Sequence, residues 1–170
     1  MKIYLMRHAT AVPRGTPGYA NDADRPLTME GHAQAREVAE GLRWLKAAPG
    51  VIASSPYLRA MQTAERVAKV LGPHLTIKEV PELRGEARPA DTSLALKSLA
   101  MYERVLCVGH EPHLSAWLAE LVAGRQSMRC QMKKAGVVCV EADLIPPPAG
   151  SATLRWLMTP KQLTLIGKAG

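Results

Sequence analysis

The chain opens with Met1-Lys-Ile-Tyr-Leu-Met-Arg-His-Ala-Thr10, and this stretch predicts how the rest of the fold is arranged. Ile3 to Met6 form a short apolar run, which is typical of a strand buried on both faces of a sheet. The run stops at Arg7-His8, so a guanidinium and an imidazole lie where the strand meets solvent. In an open α/β sheet, ligands bind outside the carboxyl ends of the strands. We therefore predict that Arg7 and His8 face an anion-binding crevice.

A second short strand is predicted from Val51 to Ser54, and it also leads to a cationic side chain. Ser55-Pro56 then predicts a helix start, with the Ser55 hydroxyl as the N-cap and proline at the first helical position. Arg59 falls in the first turn of that helix. Because helical side chains lean toward the N-terminus, Arg59 should reach back to the end of the preceding strand.

A third polar side chain follows a later apolar strand, predicted from Arg104 to Val108. This strand ends in Gly109-His110, and Pro112 favours the start of the next helix. His110 is therefore predicted at the carboxyl end of a strand, like the Arg7-His8 pair.

The segments between these strands predict loops and helices. Residues 11–26 carry many turn-forming residues and predict a long loop, after which Thr28 caps a helix whose apolar stripe continues to Leu45. Residues 75–80 predict another strand, and a weaker helix is predicted for residues 91–101.

The last third of the chain predicts a hairpin. Residues 135–143 and 152–158 are typical of strands, joined by a connection that contains three consecutive prolines. Strands that alternate with helices favour an α/β fold with a mostly parallel central sheet flanked by helices and with antiparallel strands toward the C-terminus. At this length, we expect residues 1–170 to form a single domain.

Charge and composition narrow the classes of partner. Lys and Arg outnumber Asp and Glu by 22 to 15, which favours anionic partners. Nucleic acid is disfavoured, because no basic run occurs and there is no Phe. No apolar run suits a signal peptide or a membrane span, so we expect a cytoplasmic protein without membrane contact. The three cysteines lack metal-site spacing and are expected to be small buried residues.

Arg7, His8, Arg59 and His110 are thus predicted to meet in one crevice. Cationic and titratable groups without a matching cluster of carboxylates suit a dianion such as phosphate. A metal site is not expected, since two histidines lack a third ligand and two arginines repel cations.

Four motifs resemble the signatures of the histidine phosphatase superfamily, in order along nearly the whole chain. They are Arg7-His8-Ala9-Thr10, Arg25-Pro26-Leu27-Thr28-Met29-Glu30-Gly31, Ser55-Pro56-Tyr57-Leu58-Arg59-Ala60-Met61-Gln62-Thr63 and Val108-Gly109-His110-Glu111-Pro112. Together with Leu157-Met158-Thr159-Pro160, they are most similar to SixA-type phosphohistidine phosphatases. The resemblance implies a phosphoglycerate mutase-like fold and a cofactor-free phosphatase that forms a covalent phosphohistidine.

The resemblance also implies a role for each site residue. His8 would be the nucleophile that takes the phosphoryl group, and Arg7, Arg59 and His110 would hold the phosphoryl oxygens. The implied partner is a phosphorylated protein of the histidine phosphotransfer type. The neighbouring arginines should keep His8 neutral at physiological pH, as a nucleophile requires.

The chain departs from the broader superfamily at the proton donor. Many members carry a Leu-x-Glu segment, whereas this chain has Leu83-Arg84-Gly85. Asp24, Glu82 and Glu86 remain as candidate acids. A phosphohistidine can leave as neutral imidazole, whose pKa is about 6.5, so it needs an acid less than an alkoxide does.

Two alternatives stay open from the sequence. One is a phosphatase or mutase that acts on small phosphate esters, and of these two the mutase is disfavoured because the chain is short. The other is a non-catalytic module that binds phosphoproteins through the same pocket. A binding module has no need of His8, since Arg or Lys would hold an anion equally well. The oligomeric state is left open.

Overall fold

The computed structural model describes residues 1–124 and 128–169. The strands are β1 (Lys2–Arg7), β2 (Val51–Ser54), β3 (Ile77–Glu79), β4 (Arg104–Gly109), β5 (Val137–Glu141) and β6 (Thr153–Met158). The helices are α1 (Met29–Trp44), α2 (Leu58–Leu71), α3 (Pro89–Ala95), α4 (His113–Ala123) and α5 (Pro160–Lys168). Short 3-10 helices cover Asp22–Asp24, Pro81–Leu83 and Leu96–Leu99.

The six strands form one sheet in the order β3-β2-β4-β1-β5-β6. The pairs β2–β3, β2–β4 and β1–β4 are parallel, whereas β1–β5 and β5–β6 are antiparallel. The predicted fold class is therefore confirmed, including the antiparallel hairpin at the C-terminal end. Because β1, β2 and β4 are parallel neighbours, their carboxyl ends meet at one edge of the sheet.

A hydrophobic core lies on each face of the sheet. On one face, Tyr4 and Met6 of β1 pack with the buried residues of α1, α2 and α5. On the other face, Ile3 and Leu5 pack with α4 and with the segment that follows α3. The alternation of side chains along β1 thus supplies both cores, as expected for a strand buried on both faces.

The start of α1 is fixed against the segment that follows β1. The Thr28 hydroxyl accepts a hydrogen bond from the Gly31 N–H at 3.0 Å, and the Thr28 N–H donates to the Thr10 carbonyl at 3.0 Å. A Cβ atom at position 31 would lie 1.9 Å from the Thr10 carbonyl oxygen. Glycine is therefore required for this approach, which places α1 close to the end of β1.

Two predicted elements differ from the structure, and one element was not predicted. The strand predicted at residues 75–80 covers only Ile77–Glu79. The helix predicted at residues 91–101 is the short helix α3 followed by the 3-10 turn Leu96–Leu99, which buries both of its leucines in the core. Helix α5 was not predicted, although Thr159 and Gln162 form a capping box at its start.

Two smaller observations concern the cysteines and membranes. All three cysteines are free thiols; Cys107 and Cys139 are buried, as predicted, and Cys130 is only half-buried. Within the described ranges, no helix combines the length and apolar character needed to cross a membrane.

Candidate active site

The candidate site lies where the carboxyl ends of β1, β2 and β4 meet. The His8 N–H donates to the Gly109 carbonyl at 3.0 Å, and the Ser55 N–H donates to the Val108 carbonyl at 2.9 Å. These backbone bonds hold the residues that follow the three strands in fixed register. Arg7, His8, Arg59 and His110 all line the resulting cleft, which has a volume of about 720 Å³.

His8 is 8% exposed and carries its lone pair on Nε2. Its Nδ1 atom lies 2.7 Å from the Ala9 carbonyl oxygen. Because a carbonyl only accepts hydrogen bonds, Nδ1 carries the proton and Nε2 is unprotonated. Burial lowers the His8 pKa to about 3; the Ala9 carbonyl opposes this shift, and the charges of Arg59 and Arg7 add to it. His8 is therefore neutral at physiological pH.

Arg59 is 3% exposed and uses all three of its guanidinium nitrogens. Its Nε donates to His8 Nε2 at 3.3 Å, its Nη1 to the Asp22 carbonyl at 2.6 Å and its Nη2 to the Asp22 carboxylate at 2.9 Å. Because each Nη atom carries two hydrogens, the bonds to described residues leave one N–H on each that could bind a ligand. Arg59 is thus oriented by Asp22 and touches the imidazole of His8.

Asp22 bonds to three arginines, and it was not predicted as a site residue. Besides Arg59, its carboxylate accepts hydrogen bonds from Arg14 Nε at 2.8 Å and Arg25 Nε at 2.9 Å. Burial raises the Asp22 pKa, but the bonds from Arg25 and Arg14 and the charge of Arg59 outweigh it and lower the pKa to about 2. Asp22 therefore stays ionised, which excludes it as a proton donor at neutral pH.

Arg7 presents a partly unused guanidinium to the cleft. Its Nη1 donates to the Met132 carbonyl at 2.8 Å. Its Nε is buried and has no hydrogen-bond partner in the described part of the chain. A buried donor without a partner is costly, so an anion in the cleft would stabilise this group.

His110 is 2% exposed, and its ring centroid lies 5.0 Å from that of His8. Its Nε2 lies 2.8 Å from Ser55 Oγ, whereas its Nδ1 is buried without a partner among residues 1–124 and 128–169. Burial lowers the His110 pKa to about 2, and the nearby His8 imidazole and Arg59 guanidinium add to the shift, because they disfavour a second positive charge there.

The prediction that Ser55 caps α2 is wrong. The helix begins at Leu58, and Tyr57 occupies the N-cap position without a side-chain hydrogen bond. The Ser55 Oγ atom lies 2.8 Å from His110 Nε2, and it also accepts a hydrogen bond from the Tyr57 N–H at 3.4 Å, ahead of the helix. The Ser-Pro pair therefore lies in the turn before α2, where the Ser55 hydroxyl contacts both the local backbone and the distant His110.

The three candidate acids differ in position. Glu86 lines the cleft, and its Oε1 accepts a hydrogen bond from the Tyr57 hydroxyl at 3.1 Å. Asp24 and Glu82 are absent from the cleft lining. Tyr57 was also missed by the sequence analysis; its ring lies 4.9 Å from Arg59 Cζ and 5.0 Å from the His110 ring.

No group of three or more His, Cys, Asp or Glu side chains could hold a metal ion within the described ranges. The positive charge at the cleft comes instead from guanidinium groups and from Lys134, which lines the same cleft. This arrangement suits a phosphoryl dianion, because guanidinium groups bond two oxygens at once.

Comparison with known proteins also indicates a phosphatase. Residues 3–87 match the model of the histidine phosphatase superfamily (branch 1). An uncharacterised protein of Picosynechococcus is 35% identical over 139 residues, which cover 81% of this chain and 83% of that protein. The phosphohistidine phosphatase SixA of Escherichia coli is 29% identical over 167 residues, which cover 97% of this chain and 98% of that protein.

Solved structures extend the similarity to the fold. The protein histidine phosphatase SixA complexed with tungstate is 29% identical, with a TM-score of 0.83, over 96% of this chain and 99% of that chain. The alpha-ribazole phosphatase from Shigella flexneri shares the fold at 19% identity, with a TM-score of 0.73, over 94% of this chain and 97% of that chain. With the family model spanning half of the sequence, the chain belongs to the histidine phosphatase superfamily.

Proposed function

We propose that this phosphatase removes the phosphoryl group from phosphohistidine on a protein, through a covalent phosphohistidine at His8 and without a metal ion. The observation that carries the proposal is that His8 is a neutral imidazole with its proton on Nδ1. Its Nδ1–H is bonded to the Ala9 carbonyl at 2.7 Å, which leaves the Nε2 lone pair beside the guanidinium of Arg59. A neutral imidazole held among arginines is suited to attack phosphorus.

In the first step, the Nε2 lone pair of His8 forms a bond to phosphorus, and the bond from phosphorus to the substrate nitrogen breaks. The electron pair of the broken bond returns to the substrate imidazole. When the far nitrogen of that ring carries a proton, the ring leaves as neutral imidazole. This step needs no proton from the enzyme.

In the second step, water attacks the phosphorus, and the bond to His8 Nε2 breaks. The electron pair returns to Nε2, and the water gives up a proton to phosphate or solvent. Because the Nδ1 proton stays on His8 and remains hydrogen-bonded to the Ala9 carbonyl, His8 also leaves as neutral imidazole. The same hydrogen bond therefore serves both attack and release.

The other residues of the cleft stabilise charge on the phosphoryl oxygens. Among the described residues, one N–H on each Nη atom of Arg59 and the Nε of Arg7 have no hydrogen-bond partner. The His110 Nδ1 atom also has no partner within residues 1–124 and 128–169, and the centroid of its ring lies 5.0 Å from that of His8. Fixed donors at the equatorial oxygens are the main means of catalysing phosphoryl transfer.

A phosphorylated protein is the substrate we favour, on two grounds. The SixA relative is named a phosphohistidine phosphatase and matches nearly the full length of this chain. The net charge of +7 also favours association with an acidic partner.

A second candidate function is hydrolysis of small phosphate esters, and Glu86 is the observation that favours it. Its carboxyl group lines the cleft beside the Tyr57 hydroxyl, where it would meet an alkoxide leaving group. An ester needs such an acid, whereas a phosphohistidine does not.

Rapid quenching during turnover of a ³²P-labelled phosphohistidine protein tests the proposed intermediate. We expect a label on the enzyme that is stable in alkali and labile in acid. The His8→Ala variant should lose the label and at least about a thousandfold in turnover while keeping its fold, because the nucleophile is removed at a strand end. His74→Ala, which changes an exposed histidine, is the matched control. Turnover by pure His8→Ala near the unmodified rate would refute the mechanism.

A further inference from the structure

A second cationic cleft lies at the opposite end of the sheet from the candidate active site. It has a volume of about 530 Å³, and its walls include Lys2, Lys46, Arg104, Arg155, Tyr4 and Trp156. We refer to it as the basal cleft. We propose that the basal cleft binds a nucleotide, with cations on the phosphates and Trp156 against the base. This proposal does not depend on the phosphatase function.

The basal cleft is separate from the catalytic cleft. Lys2 and Arg104 are the first residues of the adjacent parallel strands β1 and β4, and they are partners in the register of that pair. His8 and His110 follow the other ends of the same strands. At about 3.3 Å per residue, Lys2 and His8 lie about 20 Å apart along the chain. A ligand in one cleft therefore does not touch the other.

The cations of the basal cleft outnumber the carboxylate that could neutralise them. Arg155 contacts Glu141 at 3.4 Å. Lys2, Lys46 and Arg104 form no ion pair with any of the described residues. Four cations around one carboxylate leave an excess of three positive charges, which suits the phosphates of a nucleotide.

The backbone of Lys46 supports a role for its side chain. This residue follows the C-cap of α1 with a φ angle of +53°. Glycine is the usual residue in this left-handed conformation, because a side chain is strained there. Lys46, two residues beyond the end of α1, thus lines the basal cleft at a position where glycine is usual.

The aromatic wall favours a ligand with a planar ring. Tyr4 and Trp156 have ring centroids 5.9 Å apart at an angle of 38°, and Trp156 is only half-buried. The Tyr4 side chain lines the same cleft, and the residue as a whole is only 5% exposed. Cations beside aromatic rings therefore indicate a ligand in which phosphate is joined to a planar base. The volume of the basal cleft is in the range of small-molecule sites.

Titration of the ¹⁵N-labelled protein with ATP, followed by two-dimensional NMR, tests the proposal residue by residue. The indole signal of Trp156, assigned with Trp156→Phe, reports the basal cleft, and the amides of Ala9 and Gly109 report the catalytic cleft. We expect ATP to shift the Trp156 signal with saturation, and to bind there more tightly than adenosine or inorganic phosphate. A ³¹P spectrum taken before and after checks that ATP stays intact.

The double variant Lys2→Gln/Arg104→Gln should weaken ATP binding at Trp156 by at least about tenfold, because two charge-assisted contacts are lost. Lys46→Gln changes an exposed side chain and should weaken binding without risk to the fold. Lys69→Gln/Lys97→Gln removes two charges outside the clefts and should have no effect. The proposal is overturned if Trp156 does not respond, if phosphate alone binds as tightly as ATP, or if the control double variant weakens binding equally.

Discussion

Both terminal nitrogens of Arg59 are bonded to Asp22, Nη1 to the backbone carbonyl at 2.6 Å and Nη2 to the carboxylate at 2.9 Å. The third nitrogen of the same guanidinium reaches Nε2 of His8 at 3.3 Å. A residue of the long loop after β1 therefore sets the orientation of the arginine that touches the proposed nucleophile. Removal of one partner from a buried charge is costly, so this contact should matter for catalysis.

The Asp22→Asn variant is expected to lower kcat by about tenfold, because Arg59 loses its charged partner and is held less firmly. Steady-state kinetics on a phosphohistidine protein measures the effect. Asp24→Asn is the matched control, since Asp24 is exposed and absent from the cleft lining. Equal kinetics for the two variants would show that Asp22 does not position Arg59.

Stability should fall as the pH is lowered from about 7.5 to about 5. The folded protein holds His8 and His110 neutral, with pKa values lowered to about 3 and about 2. In the unfolded chain each imidazole has a pKa of about 6.5 and takes up a proton in this range. The unfolded state then binds more protons, so each histidine should reduce the free energy of unfolding by about 1 to 2 kcal/mol at the lower pH.

Urea unfolding at a series of pH values measures the slope of the free energy of unfolding against pH. The slope should be smaller in His8→Gln and in His110→Gln, because each variant removes one buried titrating group. His74→Gln, at an exposed position, should keep the slope of the unmodified protein. An unchanged slope in both buried variants would mean that other groups control the pH dependence.

Turnover is expected to persist in excess chelator, because Arg7 and Arg59 supply the positive charge that a metal ion would bring. The assay compares initial rates before and after prolonged treatment with EDTA and gel filtration. A loss of activity that Mg²⁺ or Zn²⁺ restores would contradict this prediction.

Rates should fall steeply as the leaving group becomes more basic, if no positioned acid acts on it. We expect kcat/KM to decrease from a phosphohistidine protein to aryl phosphates and then to alkyl phosphates. Added salt should weaken the preference for the protein, since it screens attraction to the cationic chain.

Glu86→Gln separates the two candidate functions within the same assay. This variant should leave turnover of the phosphohistidine protein unchanged if the leaving imidazole needs no acid. A faster rate on an alkyl phosphate than on the phosphohistidine protein, lost in Glu86→Gln, would favour the ester phosphatase instead.

Local patterns in the sequence determined the strands and the positions of the residues that follow them. Apolar runs that stop at Arg7 and Gly109 predict strand ends, because an apolar strand is buried until polar groups reach solvent. The alternation of strands and helices then predicts a parallel sheet, which brings such ends to one edge. Arg7, His8, Arg59 and His110 could be brought together by this reasoning alone.

Only the tertiary structure decided which side chains surround those four. Asp22 reaches Arg59 across 37 positions of sequence, and Ser55 reaches His110 across 55. Local signals indicated that Asp22 is part of a turn and that Ser55 caps a helix. Side chains of both types can bond to nearby backbone as readily as to distant residues. The choice between a local and a distant partner depends on how the loop and the strand ends pack, and no short stretch of sequence contains that information.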